Sequence, residues 1–353
     1  MKILDRYIRR HILSGTVLAL MVLLTLTSFV TLVDQLDDVG RGHYRIRDAF
    51  AYVGLYLPRF AYQIFPVAAL LGSLIGLGRL ANNSELIAMR AAGVSMRRIV
   101  FIVLKTGVYM LIVALILGEG IAPVAEEAAT RMRAEAISEQ TTLKSRYGFW
   151  ARDGEAFVNI RQILPGAQLR DIFIYELNDN RELVAATHAR SAEYQQDAWL
   201  LKEIGQTRIG KDRAEARTYP LANWASLIDP ELLKVVVSAP DSLPAWGLWT
   251  YIRFMHENGQ DARLYEVAFW NKIVTPLATL IMLFLSVPFV FGSLRSVGIG
   301  QRVFAGTIIG MGFLLLNQAV GQLAVVYRIN PLLAVSFPAI LFLMVAIWYA
   351  RRV

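Results

Sequence analysis

Six long apolar runs constrain this chain more than any other feature; they fall at residues 12–33, 50–78, 99–121, 273–294, 303–327 and 329–350. Crossing a hydrocarbon core of roughly 30 Å takes about twenty helical residues, because a helix rises about 1.5 Å per residue and lipid satisfies no free peptide group. Each run is long enough. Charges inside them are few: Arg59 in the second, Lys105 and Glu119 in the third. The first run exceeds the apolar core of a signal peptide and shows no small-residue cleavage site, so a retained span is expected. With 56% of all side chains apolar, the expected fold is membrane α-helical with six transmembrane helices.

Between the third and fourth runs the pattern changes. Residues 124–137 form a charged, alanine-rich helical segment, and β-rich stretches follow at 149–152, 156–161, 171–177, 185–194 and 198–204. Turn signals separate them at Asp153-Gly154, Pro165-Gly166 and Asn178-Asp179-Asn180. Short strands about ten residues apart predict an antiparallel sandwich or jelly roll. The expected organisation is therefore residues 1–123 with spans one to three, an all-β jelly-roll-like domain at 124–263, and residues 264–353 with spans four to six. Residues 246–255 read as an amphipathic helix on the membrane surface, since Trp246, Trp249 and Tyr251 suit the interface.

The net charge of +8 invites a nucleic-acid partner, but the location of the charge argues otherwise. Residues 124–263 hold 17 of the 36 basic and 20 of the 28 acidic groups, so the basic excess lies beside the spans. Six spans put both termini on one side. The basic residues near the N-terminus, at 79–98, at Arg295 and Arg302, and at Arg351 and Arg352 share that side, which the positive-inside rule makes the cytoplasm. The β-rich insert then lies on the far side.

The polar island at 79–98 reads as a short docking helix. Asn82, Asn83 and Ser84 can cap it, Glu85 suits the positive end of its first turn, and Gly93 supplies a left-handed stop before Ser95 caps the next helix. Leu86, Ile87, Met89 and Ala91 give it an apolar side. About two turns are marginal alone in water, so the helix must pack on the span ends or on a partner. An ordinary turn between spans is the competing reading.

Little else carries chemistry. There is no cysteine, the four histidines are scattered, and no G-x-x-x-x-G-K-[ST], H-E-x-x-H or G-x-S-x-G motif occurs. Hence no thiolate metal site, no phosphate-cradling loop and no catalytic motif is expected; any energy for work comes from another subunit. Ionisable groups in spans are costly and face cavities or partners. Arg59 and Gln63 stand out for that reason, whereas Lys105, Glu119, Glu266 and Lys272 lie close enough to span ends to snorkel. Gly72 with Gly76, and Gly306 with Gly310, are small-xxx-small pairs that let helices approach closely, for packing or gating.

Several segments, in order along the whole chain, resemble the lipopolysaccharide-export permease family LptF/LptG. They are Leu4-Asp5-Arg6-Tyr7-Ile8, Val33-Asp34-Gln35-Leu36, Ala69-Leu70-Leu71-Gly72 through Ser84-Glu85-Leu86 to Ala92-Gly93, and Gly118-Glu119-Gly120-Ile121-Ala122-Pro123. Further along come Gly148-Phe149-Trp150-Ala151-Arg152-Asp153-Gly154, Gly259-Gln260-Asp261-Ala262, Trp270-Asn271-Lys272 and Phe291-Gly292-Ser293-Leu294-Arg295-Ser296. The resemblance implies an inner-membrane ABC-type complex, with the inserted domain in the periplasm. In it two permeases, one LptF-type, sit on two copies of an LptB-type ATPase beside an LptC-type single-span protein, extract lipopolysaccharide from the outer leaflet and pass it to a periplasmic bridge. No cofactor is expected on this chain; ATP and Mg would be bound by the ATPase.

The resemblance also assigns residues 84–92 as a coupling helix, with Glu85, Leu86, Met89 and Arg90 toward the ATPase. It places the substrate in a cavity lined by spans one, two and five, with spans one and five as lateral gates. For a phosphorylated lipid, Arg41, Arg45, Arg47 and Arg59 with Gln63 are the expected phosphate-facing rim, and Phe60, Phe65, Leu24 and Leu316 are available to acyl chains. Two other classes compete: a mechanotransmitter that couples an ATPase to a periplasmic partner without moving lipid, and a membrane transferase using Asp34 or His43 as a base.

Overall fold

A computed structural model describes residues 2–137, 143–153, 156–164, 168–178, 180, 182–195, 198–210, 213–224, 240–291 and 298–352. Its elements are α1 (Lys2–Leu36), α2 (Ile46–Asn82), α3 (Glu85–Ala91), α4 (Met96–Leu115), α5 (Ala122–Ile137), β1 (Leu143–Asp153), β2 (Ala156–Leu164), β3 (Gln168–Leu177), β4 (Leu183–Gln195), β5 (Ala198–Ile209), β6 (Ala214–Trp224), α6 (Ala245–Glu257), α7 (Arg263–Phe291), α8 (Ile299–Val326) and α9 (Pro331–Ala350). Among the described residues six helices are long and apolar enough to cross a membrane, and α4 runs through a widened π-type turn, Ile116–Ile121, into α5. The turns at Gly154 and Pro165-Gly166, Asp179, and Gly292 to Ser296 with Arg295 lie outside the described residues.

The spans pack around α2. In its most apolar window 78% of residues are buried by the rest of the chain, against 11% for α1 and 17% for α8. Glycine sets the approach of α1 to α2: a Cβ on Gly72 would sit 2.2 Å from the backbone of Thr16, and one on Gly76 would sit 2.5 Å from the carbonyl oxygen of His11. Gly306 and Gly310 play the same part between α8 and α2, facing Leu74 and Val67. Asn330 starts α9 by accepting hydrogen bonds from the Leu332 and Leu333 N–H groups, with Pro331 where a missing N–H costs nothing.

The close contact at Gly72 makes a sharp prediction. Backbone atoms cannot swing aside, so Gly72→Ala is expected to cost about 1–3 kcal/mol or more by overpacking. Gly312→Ala, where a Cβ meets nothing within 4 Å, is the control. Fluorescence-detected size-exclusion of tagged variants reads the outcome, and a Gly72→Ala peak as tall and monodisperse as that of Gly312→Ala would refute the tight crossing.

The described residues of the insert form a six-stranded antiparallel sheet in the order β1-β2-β3-β4-β5-β6, so these strands follow one another as a meander. One face is apolar. Ile160 pairs with Ile172, Ile172 with Ala189 and Ala189 with Ile204 across the strands, and Trp199 is fully buried in the same cluster. Asp171 and Glu203 take positive φ of 53°, yet the strands keep the same register on either side of each. Strand β6 was not expected from the sequence. Its residues are exposed on both faces except at Trp224, so it carries no alternation of apolar and polar residues to read.

Candidate functional site

The C-terminal end of α2 turns into α3 through Asn83 and Ser84, and Ser84 takes the left-handed conformation with φ 58°. Gly93 has φ +88°, so the helix stops where a glycine tolerates that geometry. Leu86 is 2% exposed and anchors the segment in the membrane core cluster. Met89 packs partly against that cluster, while Ile87 and Arg90 stay exposed. The Glu85 carboxylate accepts a 2.7 Å hydrogen bond from the Tyr7 hydroxyl. This link from the start of α1 to the first turn of α3 is invisible to sequence spacing.

The span ends nearest the insert carry a buried charge network. Arg59 is 7% exposed; its guanidinium lies 3.7 Å from Glu126 of α5 and 3.5 Å from Asp241, and it donates a 2.6 Å hydrogen bond to the Asp241 carbonyl. Tyr56 donates to the other oxygen of Glu126 at 2.8 Å. Arg59 therefore points inward at two carboxylates, which corrects its placement on an open rim. Lys272 and Glu119 do not snorkel either: Lys272 is 5% exposed, lies 3.5 Å from Glu119 and donates to the Gly118 carbonyl at 3.1 Å. That carbonyl is free because the π-type turn breaks the regular helical ladder. Glu119 also accepts from the Ala245 N–H at 2.7 Å. Together these contacts tie α2, α5 and α7 to the turn Pro240–Ser242 and the start of α6, where the chain returns from the sheet to the membrane.

Of the remaining expected residues, Arg41 and Arg45 are exposed on the loop between α1 and α2, Arg47 is exposed in the first turn of α2, and Gln63 is exposed further along it. Phe60, Leu24 and Leu316 are half-buried. Phe65 is only 5% exposed within the core cluster, so it does not present a surface to an acyl chain; about five turns into α2, it faces protein rather than lipid.

That loop is organised by Asp38. Arg133 of α5 and Arg41 both donate to its carboxylate, and the Arg133 hydrogen bond holds the Asp38 carboxyl below the usual aspartate range. A depressed native pKa gives stability that is complete above the unfolded value of about 3.9 and is lost as pH falls through the native one. The melting-temperature difference between the wild type and Asp38→Asn in detergent should therefore be full near neutrality and narrow below about pH 4. A difference that stays constant with pH would contradict the ion pair.

Comparison with known proteins brings these features together. The family model described as lipopolysaccharide export system permease LptF/LptG matches residues 6–352. The chain is similar to the Haemophilus influenzae lipopolysaccharide export system permease protein LptG, at 37% identity over 99% of this chain and 98% of that protein. It is similar to Escherichia coli K12 LptG at 34% identity, with the same coverage. Similarity to E. coli K12 LptF is 26% over 50% of this chain and 48% of that protein. With a match along nearly its whole length, six spans and an inserted antiparallel sheet, this chain belongs to the lipopolysaccharide export system permease LptF/LptG family.

Proposed function

We propose that this multi-pass protein is one of two permeases in an ABC-type exporter that extracts lipopolysaccharide from the outer leaflet of the inner membrane and delivers it to a periplasmic bridge. The observation that carries the reading is the poor cover of α1 and α8. Val22, Leu26, Phe29 and Val33 share one exposed face of α1, and Phe304, Ile308, Met311 and Leu315 share one of α8. Each series steps by four, three and four residues, the spacing of a single helical stripe. Two such stripes suit a second, LptF-type permease and the lipid that passes between the pair. Arg41, Arg45 and Arg47 then form the phosphate-facing rim, joined by Gln63, with Leu24, Phe60 and Leu316 toward acyl chains.

In this reading α3 docks into an LptB-type ATPase, two copies of which bind ATP and Mg, and an LptC-type protein stands alongside. The termini are cytoplasmic and the sheet periplasmic. Co-purification tests the assembly: stoichiometric ATPase and second permease are expected, and a monomer that turns over a substrate alone would overturn it. The absence of cysteine makes a topology test clean. A cysteine at Asn180, in an exposed turn, is expected to react with a membrane-impermeant maleimide in spheroplasts; protection there inverts the topology.

A further inference from the structure

A polar cleft of about 340 Å³ lies where the loop between α6 and α7 meets the loop between α8 and α9. Its walls include the segment Gly259–Ala262, which has no part in the transport path proposed above. Gly259 and Arg328 both take left-handed backbone, at φ +63° and +57°, and bring the two loops together. Arg263 is held by Asp261 through 2.8 and 2.7 Å hydrogen bonds from Nε and Nη2, while its Nη1 is buried and has no partner among the described residues. Arg328 lines the same cleft, is exposed, and makes no hydrogen bond or ion pair among the described residues. The cleft also holds the Asp261 carboxylate, already paired with Arg263, and that of Glu266, 2.9 Å from His256.

Both signs of charge are present within one small cleft. A bare phosphate would meet two carboxylates and a simple amine would meet two guanidiniums; a group with phosphate and ammonium on a short link satisfies both. The level in the membrane agrees. Helix α7 starts at Arg263 and α8 ends at Val326, and the exposed side chains of Trp246, Trp249 and Tyr327 mark an interfacial belt. Beside the two arginines in sequence, Leu264 is 50% and Val326 74% exposed, apolar surface on which acyl chains can lie. We propose that this cleft binds a zwitterionic phosphoethanolamine headgroup, its phosphate on the exposed Arg328 and its ammonium on Glu266.

The test uses the complete purified complex in nanodiscs of equal phosphatidylethanolamine and phosphatidylglycerol, washed with detergent, with the retained lipid weighed by native mass spectrometry. The wild type is expected to retain phosphatidylethanolamine in preference. Arg328→Glu, at an exposed position, is expected to lower that retention about fivefold, the scale of one partly exposed ion pair. Glu266→Gln is expected to shift the preference toward phosphatidylglycerol. In complexes taken directly from cells, mass separates a two-chain phospholipid from a larger glycolipid carrying the same group, and either supports the headgroup assignment. Equal retention of the two lipids by the wild type, or unchanged retention in Arg328→Glu, overturns it.

Discussion

Glu85→Lys is expected to uncouple the exporter while leaving the permease folded. The carboxylate stands in the first turn of α3, a seven-residue helix whose Ile87 and Arg90 face outward, and it suits a basic groove on an ATPase. Losing one partner of a docked charge pair costs about 2–5 kcal/mol, or roughly 30-fold or more in affinity, and reversing the sign adds repulsion. The Tyr7 hydroxyl complicates the interpretation, because it already donates to Glu85. Tyr7→Phe separates the two roles by removing the tether to α1 while the charge remains. If docking is the role of Glu85, Tyr7→Phe keeps most lipid-stimulated ATP hydrolysis and Glu85→Lys loses it. Matching losses in both variants would assign Glu85 to holding α1 instead, and wild-type hydrolysis in Glu85→Lys would remove it from coupling altogether.

How much of this was legible in the residues depends on how far apart the causes lie. The spans and α3 were readable because their signals are local: uncharged runs matched to membrane thickness, and a left-handed glycine at Gly93 with Ser95 just before α4. The small-xxx-small pairs announced close approaches but not their partners. Only packing shows that Gly72 and Gly76 face α1 while Gly306 and Gly310 face α2. Arg59 was readable as an anomaly and not as a member of a network, since its acceptor on Asp241 is 182 residues away. Position near a helix end suggested that Lys272 snorkels, yet a widened turn from another span offers it a carbonyl and a carboxylate. Strand β6 escaped because a strand exposed on both faces has no period-two pattern to find.

The second large effect follows from that network. Arg59→Ala is expected to cost about 3–5 kcal/mol, because it leaves a carboxylate buried without its cation. The Arg59 and Glu126 side chains are 8% and 6% exposed, so water cannot take over the missing charge. Asp241, 65% exposed on its side chain, is better hydrated, and Asp241→Asn should cost under about 1 kcal/mol. The paired change Arg59→Met with Glu126→Gln is expected to recover most of the loss, since removing both charges also removes their desolvation. Melting temperature of the complex in detergent orders the three: the single Arg59 variant lowest, the double variant close to Asp241→Asn. Function adds a reading that stability alone does not provide. Arg59 sits on the same 37-residue helix that ends beside α3, and it holds the turn through which the chain leaves the sheet for α6. If α2 transmits docking at its C-terminal end to the sheet near its N-terminal end, the recovered double variant should hydrolyse ATP normally yet release less lipopolysaccharide per ATP. Release per ATP equal to wild type in that variant would leave Arg59 a structural anchor for the sheet and nothing more.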